Sequence, residues 1–330
     1  MKILVTGSTG FIGGAICRAL LEKGHSVRAF HRPASAPRLL EDLPVEHALG
    51  DLTQPDSLIA AMQGIEVVFH AAALLGGPGS AGRMYAVTVE GTRTVLNAAL
   101  DAGVRRVIHT SSVAALGVPE TSPHGLPPAL LDERHTWNFR PDHYAYGYAK
   151  YLAELEVENA VARGLDVVIV NPGYVIGAGD VYRQTSSLVV QVARHRLPAS
   201  VEGGVNVVHI ADVVAGHLAA LERGRVGERY ILGGTNISIP ALIKAIAITV
   251  GVEAPLLVVP TALAHLAAAP LHLLEAYLTL PTDAAILHLA GRYFYYDTHK
   301  AQSELGLTEV HNVGEAILDA FTWFKSVDAL

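Results

Sequence analysis

The 330-residue chain contains one cysteine, Cys17, so no internal disulfide can hold it together. That cysteine lies in "GGAICRALLEKG", a helical pattern in which a small buried residue is the expectation. None of the sixteen histidines falls into an HxxxH or HExxH pattern, and one cysteine allows no CxxC. The sequence therefore assigns no metal site. Charge is sparse, with 17% charged residues, a net −7 and no basic block, which excludes a nucleic-acid groove. Hydrophobic residues reach 51%, which excludes disorder. No run attains the roughly 18–20 uninterrupted apolar residues of a membrane span. The nearest, "TALAHLAAAPLHLLEAYLTL", is broken by two histidines, a glutamate and a proline. The opening "MKILVTG" enters a strand at once and leaves no room for a signal peptide. A cytoplasmic protein without a membrane span is the expectation.

What is present is an alternation. Short β-branched runs at Lys2–Val5, Ser26–His31, Val45–Leu49, Val67–His70, Arg106–Thr110 and Asp166–Val170 are separated by amphipathic stretches such as Phe11–Lys23, Gly82–Ala102 and Tyr146–Arg163. This rhythm predicts right-handed βαβ units and a doubly wound parallel sheet, an α/β fold of the Rossmann type. After Pro172 the rhythm breaks. A helix at Ser186–Arg194, another strand and helix in "VNVVHIADVVAGHLAALERG", and an apolar, proline-punctuated helical stretch from Pro255 to Leu289 follow. The expected division is a cofactor domain of residues 1–175 plus about 205–232. A smaller, mostly helical and discontinuous lobe of about 176–204 plus 233–330 would take the substrate. That lobe sits on the carboxyl side of the sheet, where open α/β sheets bind ligands.

"VTGSTGFIGG" places Gly7, Gly10 and Gly13 between the first strand and first helix, with Thr9, Phe11 and Ile12 among them. Glycines permit a tight turn and close backbone approach, and the helix N-terminus offers free N–H groups to a pyrophosphate. The second strand ends in His31-Arg32, with Arg38 beyond, where an acidic residue would bind the ribose hydroxyls of NAD. A guanidinium suits the 2′-phosphate of NADP instead, so NADP is the expected cofactor and NAD the alternative. "GDL" brings Asp51, a candidate acceptor for the adenine amino group, and Leu52. "HAAALL" ends the fourth strand with Ala71, Ala72 and Ala73, small enough for a ribose and phosphates to lie against the backbone.

"HYAYGYAK" then supplies a phenol with a lysine one helical turn behind it, Tyr146 and Lys150. "IHTSSVAALG" delivers the Thr110 and Ser112 hydroxyls to the same edge. An ammonium one turn away is expected to lower the phenol pKa from its usual value near 10, while a serine shares the substrate oxygen. A second tyrosine–lysine pair at this spacing, Tyr296/Lys300, spans a strand end and a helix start, so the two do not share a face.

In the order and spacing of "TGSTGFIGG", "GDL", "HAAA", "TSSVAALG", "YGYAK" and "NPGYVIG", nearly the whole chain resembles the extended short-chain dehydrogenases/reductases. "VIVNPGYVIGAGD" and "VVHIADVVAGHLAALERGRVGERYILGG" are most similar to the dihydroflavonol 4-reductase-like branch, which includes proteins named hopanoid-associated sugar epimerases. The resemblance implies Ser112 as catalytic hydroxyl, Tyr146 as acid/base and Lys150 as a holder of the nicotinamide ribose. It also implies that backbone around Pro172, Gly173 and Val175 meets the nicotinamide. Two departures stand out. Val205 occupies the place where nucleotide-sugar epimerases carry a pyrophosphate-binding arginine, and Thr88 replaces a common asparagine. The expected function is NADP-dependent hydride transfer on a ketone or alcohol of a fairly apolar small molecule. A nucleotide-sugar 4-epimerase with tightly held NAD is the alternative, and a silent NADP-sensing regulator a third reading. Leu75, Tyr174, Ile176, Leu263, Leu266, Leu274 and Tyr277 are the candidate substrate contacts. The alternative for the 260–289 stretch is that it only packs the small lobe or the interface of a homodimer.

Overall fold

A computed structural model describes residues 1–75, 81–120, 128–182, 187–255, 257–274 and 287–330. Its first half runs β1 (Lys2–Thr6), α1 (Phe11–Glu22), β2 (Ser26–His31), β3 (Glu46–Leu49), α2 (Pro55–Met62), β4 (Val67–His70), α3 (Ala81–Tyr85), α4 (Gly91–Asp101), β5 (Arg106–Thr110), α5 (Ala145–Ala162) and β6 (Val167–Pro172). There follow β7 (Tyr174–Ile176), α6 (Ser187–Ala193), β8 (Ser200–Val201), β9 (Gly204–His209), α7 (Ile210–Arg223), β10 (Arg229–Leu232), β11 (Thr235–Ser238), α8 (Ile239–Val250), β12 (Val258–Val259), α9 (Thr261–Leu274) and α10 (Val313–Ser326).

Seven strands form one sheet in the order β3-β2-β1-β4-β5-β6-β10, every pair parallel. The strands are apolar on both faces because both are covered. Ile3, Val5, Phe69 and Ile108 pack one face against Ile16, Cys17 and Leu20 of α1 and Val213 and Leu221 of α7. Leu4, Val68, Val107 and Ile169 point the other way, onto Leu58 and Met62 of α2, Val95 and Leu96 of α4 and Val157 of α5. Cys17 is thus a core residue, and burial pushes its thiol up to about 12. The chain reverses its winding between β1 and β4, and the crevice at their carboxyl ends is where such sheets take ligands.

The later segments build a second, three-stranded sheet, β11-β9-β7, and a separate core. There Ile176 and Val207 meet Leu242, Ile243 and Ile246 of α8 and Ile317 and Phe324 of α10. The segment from about 205 to 232 divides between the layers. Its strand β9 pairs with β7 and β11, while β10 joins the large sheet and α7 packs on that sheet. No helix among the described residues is long and apolar enough to cross a membrane.

The single helix expected over Gly82–Ala102 is instead interrupted. A π-helical turn at Ala86–Glu90 separates α3 from α4. Thr92 donates to the Thr88 carbonyl at 2.6 Å and Thr94 to that of Glu90 at 2.8 Å, and such back-bonding competes with the regular ladder. Thr88 itself accepts from the Leu74 N–H at 3.3 Å, fixing the chain just past β4. Around Tyr296 the expected strand reduces to isolated bridges, Leu131 with Tyr296 and Gly204 with Tyr293.

Ile16→Ala should remove a buried α1 contact from the large core and cost about 2–5 kcal/mol. Urea unfolding should show a lower midpoint with an unchanged slope. A midpoint within experimental error of the parent would contradict the packing described.

Candidate active site

The β1–α1 turn brings three backbones together. Gly7 sits at φ +68°, and a Cβ there would lie 2.7 Å from the Ala72 backbone at the end of β4. A Cβ on Gly13 would overlap the Gly7 carbonyl. Only glycine fits either place. The Gly10 N–H donates to the Gly7 carbonyl at 2.9 Å, and Gly10 caps α1 with no side-chain hydrogen bond and no acid in the first turn. The first N–H groups of a twelve-residue helix are thereby left for an anion.

These residues line one cleft of about 610 Å³. It collects the glycine-turn set (Gly7, Thr9, Gly10, Phe11, Ile12, Gly13), the β2 end (His31, Arg32) and the Asp51-Leu52 turn. It also collects Ala71 to Ala73, Leu75, Thr110, Ser112, Tyr146, Lys150, Pro172, Gly173 and Val175. The sequence reading placed all of these at a ligand site. Ser35 and Arg83, which line the same cleft, were not expected there. Arg83 carries no local motif, and α3, packed against α5, brings it to the cleft near Asp51. Arg38 is exposed and lies outside the cleft lining.

At the β2 end of the cleft, His31 donates from Nδ1 to the Arg32 carbonyl at 3.1 Å, and its Nε2 meets Nδ1 of His47 at 2.9 Å. Asp51 accepts from the Thr53 backbone and hydroxyl, which with Arg32 and Arg83 nearby hold its carboxyl below the usual range.

At the other end, Ser112 caps a short 3₁₀ turn, Val113–Leu116, and its Oγ accepts from the Ala114 N–H at 3.2 Å. Tyr146 and Lys150 project from the first turns of α5. Lys150 is 3% exposed and donates to the Thr110 carbonyl at 2.9 Å. Burial pulls its pKa down to about 8, against the opposing pull of Glu154. The expected lowering of the Tyr146 phenol is not what the structure gives. Desolvation pushes it up to about 12, and only its hydrogen bond with Ser112 acts the other way. In this cleft, burial decides the direction of the shift, and the neighbouring ammonium does not lower the phenol.

Beneath the floor lies a neutral imidazole layer. Thr92 spends its proton on the Thr88 carbonyl, so it accepts from His70 Nε2 at 3.0 Å. His70 Nδ1 then accepts from Thr6 at 2.7 Å. Burial brings His70 down to about 3 and His109 well below its usual value. The second tyrosine–lysine pair diverges as expected. Tyr296 is buried against Leu116 and Leu131, while Lys300 reaches Glu228 at 2.6 Å and lies over Tyr230.

The substrate-side expectations hold less well. Ile176 is fully buried in the second core and Tyr174 packs against it, because β7 turns both into that layer. Leu263 and Leu266 are 58% and 75% exposed on the outer side of α9. None of these four lines the cleft. Leu274 ends α9, with its side chain outside the described residues, as is the whole of Tyr277. Among the described members of that set, Leu75 alone reaches the cleft.

Comparison with known proteins identifies the family and the fold. The family model described as "NAD dependent epimerase/dehydratase family" matches residues 3–233. A Synechocystis protein provisionally named dihydroflavonol 4-reductase is 36% identical, over 98% of this chain and 94% of its own. Sterol demethylase protein B of Methylococcus capsulatus is 34% identical, over 98% of both chains. The solved structure of a nucleoside-diphosphate-sugar epimerase from Pseudomonas aeruginosa is 28% identical with a TM-score of 0.82, covering 100% of this chain and 99% of that one.

The Lys150 shift has a sign that stability measurements can read. Between about 8 and 10.5 the unfolded lysine is protonated while the folded one is not, so folding stability should rise with pH across that window. Relative to Lys150→Met, the parent should gain about 1 kcal/mol per pH unit there. Urea melts of both proteins at pH 7.5, 9 and 10 check this, and a flat difference would contradict the buried ammonium.

Proposed function

Because the chain belongs to the NAD-dependent epimerase/dehydratase family, within the extended short-chain dehydrogenases/reductases, we propose that it is an NADP-dependent oxidoreductase acting on a ketone or alcohol of a fairly apolar small molecule. The observation that carries this reading is the convergence of Ser112, Tyr146 and Lys150 with the glycine turn and Arg32 in one cleft. In this reading residues 1–175 with about 205–232 carry the cofactor, and the remaining segments form the substrate side.

The glycine turn and the free N–H groups of α1 would hold a pyrophosphate, and Arg32 a 2′-phosphate. When bound, the dinucleotide supplies or accepts a hydride at its nicotinamide. This chain's residues do the rest. Ser112 and Tyr146 donate hydrogen bonds to the substrate oxygen. Tyr146, protonated throughout the neutral range with its pKa at about 12, gives the phenolic proton to that oxygen as the carbonyl carbon gains the hydride. In the reverse direction it takes the proton back. Lys150, an ammonium below about 8, supports the phenolate that forms and would hold the nicotinamide ribose.

Two features support an apolar substrate. Val205, in the place of the epimerases' arginine, packs into the second core on a strand facing Ile237, so no cation is offered there to a sugar diphosphate. The names of the two relatives, a flavonoid reductase and a sterol-processing protein, point to apolar ring ketones. The likeness to a nucleoside-diphosphate-sugar epimerase favours the second reading, a nucleotide-sugar 4-epimerase that recycles NAD.

Screening NADPH oxidation against aliphatic, steroid-like and flavonoid ketones, alongside calorimetry with UDP-sugars, separates the two. Micromolar UDP-sugar binding with no ketone turnover would favour the epimerase. With an active ketone in hand, Tyr146→Phe should abolish turnover and leave cofactor affinity within a few-fold. Retention of most activity would remove Tyr146 from its role. Arg32→Ala should weaken NADP(H) by about 1.5–3 kcal/mol and barely change NAD(H). Equal affinity of the parent for both cofactors would refute the NADP assignment.

A further inference from the structure

Behind the cleft lies a polar chain that the reaction as described does not use. Glu154 is one helical turn beyond Lys150 on α5 and is 1% exposed. Asn171, on β6, is fully buried. Its amide donates to Glu154 Oε1 at 2.7 Å and to the Ser112 carbonyl at 2.9 Å. The other carboxylate oxygen lies 3.4 Å from Nε of Arg229, on β10, whose side chain is 20% exposed.

We propose that Glu154 is a positioning residue of this active site: its carboxylate, aligned by Asn171, balances the buried charge of Lys150 while the same amide fixes the Ser112 backbone. The inference rests on the reading of Ser112, Tyr146 and Lys150 as the reacting groups.

The charges around Lys150 favour this role. From β4 and β5 it faces His70 and His109, which burial keeps neutral. From its own helix it has the protonated Tyr146 and the Glu154 carboxylate. Glu154 is therefore the group among these that can offset the ammonium. Burial raises the Glu154 pKa above its usual value, while Arg229, hydrogen bonds from Ser111 and Asn171, and Lys150 work in the other direction. In this proposal the carboxylate stays ionised against that burial, held by Arg229 Nε at 3.4 Å and by the Asn171 amide at 2.7 Å. Mutual attraction then works on Lys150 from the opposite direction, keeping it an ammonium at neutral pH despite its loss of solvent. Asn171 adds geometry to this charge balance. One side chain grips both the helix that carries Tyr146 and Lys150 and the turn that carries Ser112, so the three hydroxyl and ammonium groups are held in a common frame.

The test reads the lysine directly and needs no substrate. The chain has six lysines, Lys2, Lys23, Lys150, Lys244, Lys300 and Lys325, so selective ¹³C labelling at lysine Cε gives a sparse NMR spectrum. The Lys150 signal is assigned by its loss in Lys150→Met. In the parent its midpoint is expected near about 8. Glu154→Gln keeps the side-chain shape but removes the charge, and should lower that midpoint by about one pH unit or more. Glu154→Asp, which restores the charge, should bring it back toward the parent. An unchanged midpoint in Glu154→Gln overturns the inference. Should that variant fail to fold, the parent decides. The Glu154 carboxyl carbon must shift in a step at the Lys150 midpoint, and its absence overturns the inference equally. NADPH-linked turnover of Tyr146→Phe separates the two failures. An active Tyr146→Phe sinks the site reading, whereas an inactive one with an unmoved lysine sinks only the role of Glu154.

Discussion

A lysine ammonium buried in the wall of the cleft constrains everything around it. Moving such a cation out of water costs several kcal/mol after relaxation, and the cost is tolerable only with well-placed partners. Lys150 finds the Thr110 carbonyl at 2.9 Å and the field of Glu154. That requirement draws α5 tightly against the ends of β5 and β6. The same packing places Tyr146 beside Ser112 and seats Ser112 at the head of its 3₁₀ turn. The imidazoles of His70 and His109 could have opposed the lysine, but their burial makes them neutral and their layer electrically silent.

The glycine-turn end is governed by steric contact instead. Gly7, Gly13 and the Ala72 backbone approach so closely that any side chain at either glycine would separate β1, α1 and β4. Close approach leaves the α1 N-terminus open, and the positive dipole end then faces the cleft. The two ends thus use different physics, close steric contact at the glycine turn and a buried charge at Lys150. One sheet edge carries both, since each depends on strands that terminate at the same level.

The substrate side follows neither pattern. β7 sends Tyr174 and Ile176 into the second core, and α9 presents Leu263 and Leu266 to solvent. The π turn at Ala86–Glu90, held by threonine back-bonds, brings Ala86 and Val87 to the cleft instead. Apolar character in a sequence says that a residue seeks burial, or on a surface a partner. It does not say which of two cores, or which face of a helix, will take it.

Local patterns by themselves determined the parallel sheet, the glycine turn, the missing acid after β2 and the helical Tyr146–Lys150 pair. Each is set by interactions within a few residues: strand alternation, φ freedom at Gly7, and the i,i+4 geometry of α5. Only the tertiary structure decided the sign of the Tyr146 shift, because desolvation depends on what covers the phenol rather than on its neighbour in the helix. The inward place of Arg83 and the His31–His47 contact likewise join residues far apart in the chain. The Asn171 bridge shows the division most plainly. Glu154 stands at the same four-residue spacing beyond Lys150 as Lys150 beyond Tyr146, so a shared helical face was already legible. That this face would be buried, with an asparagine from β6 joining Glu154 to Ser112, was fixed by how the sheet and α5 close on one another.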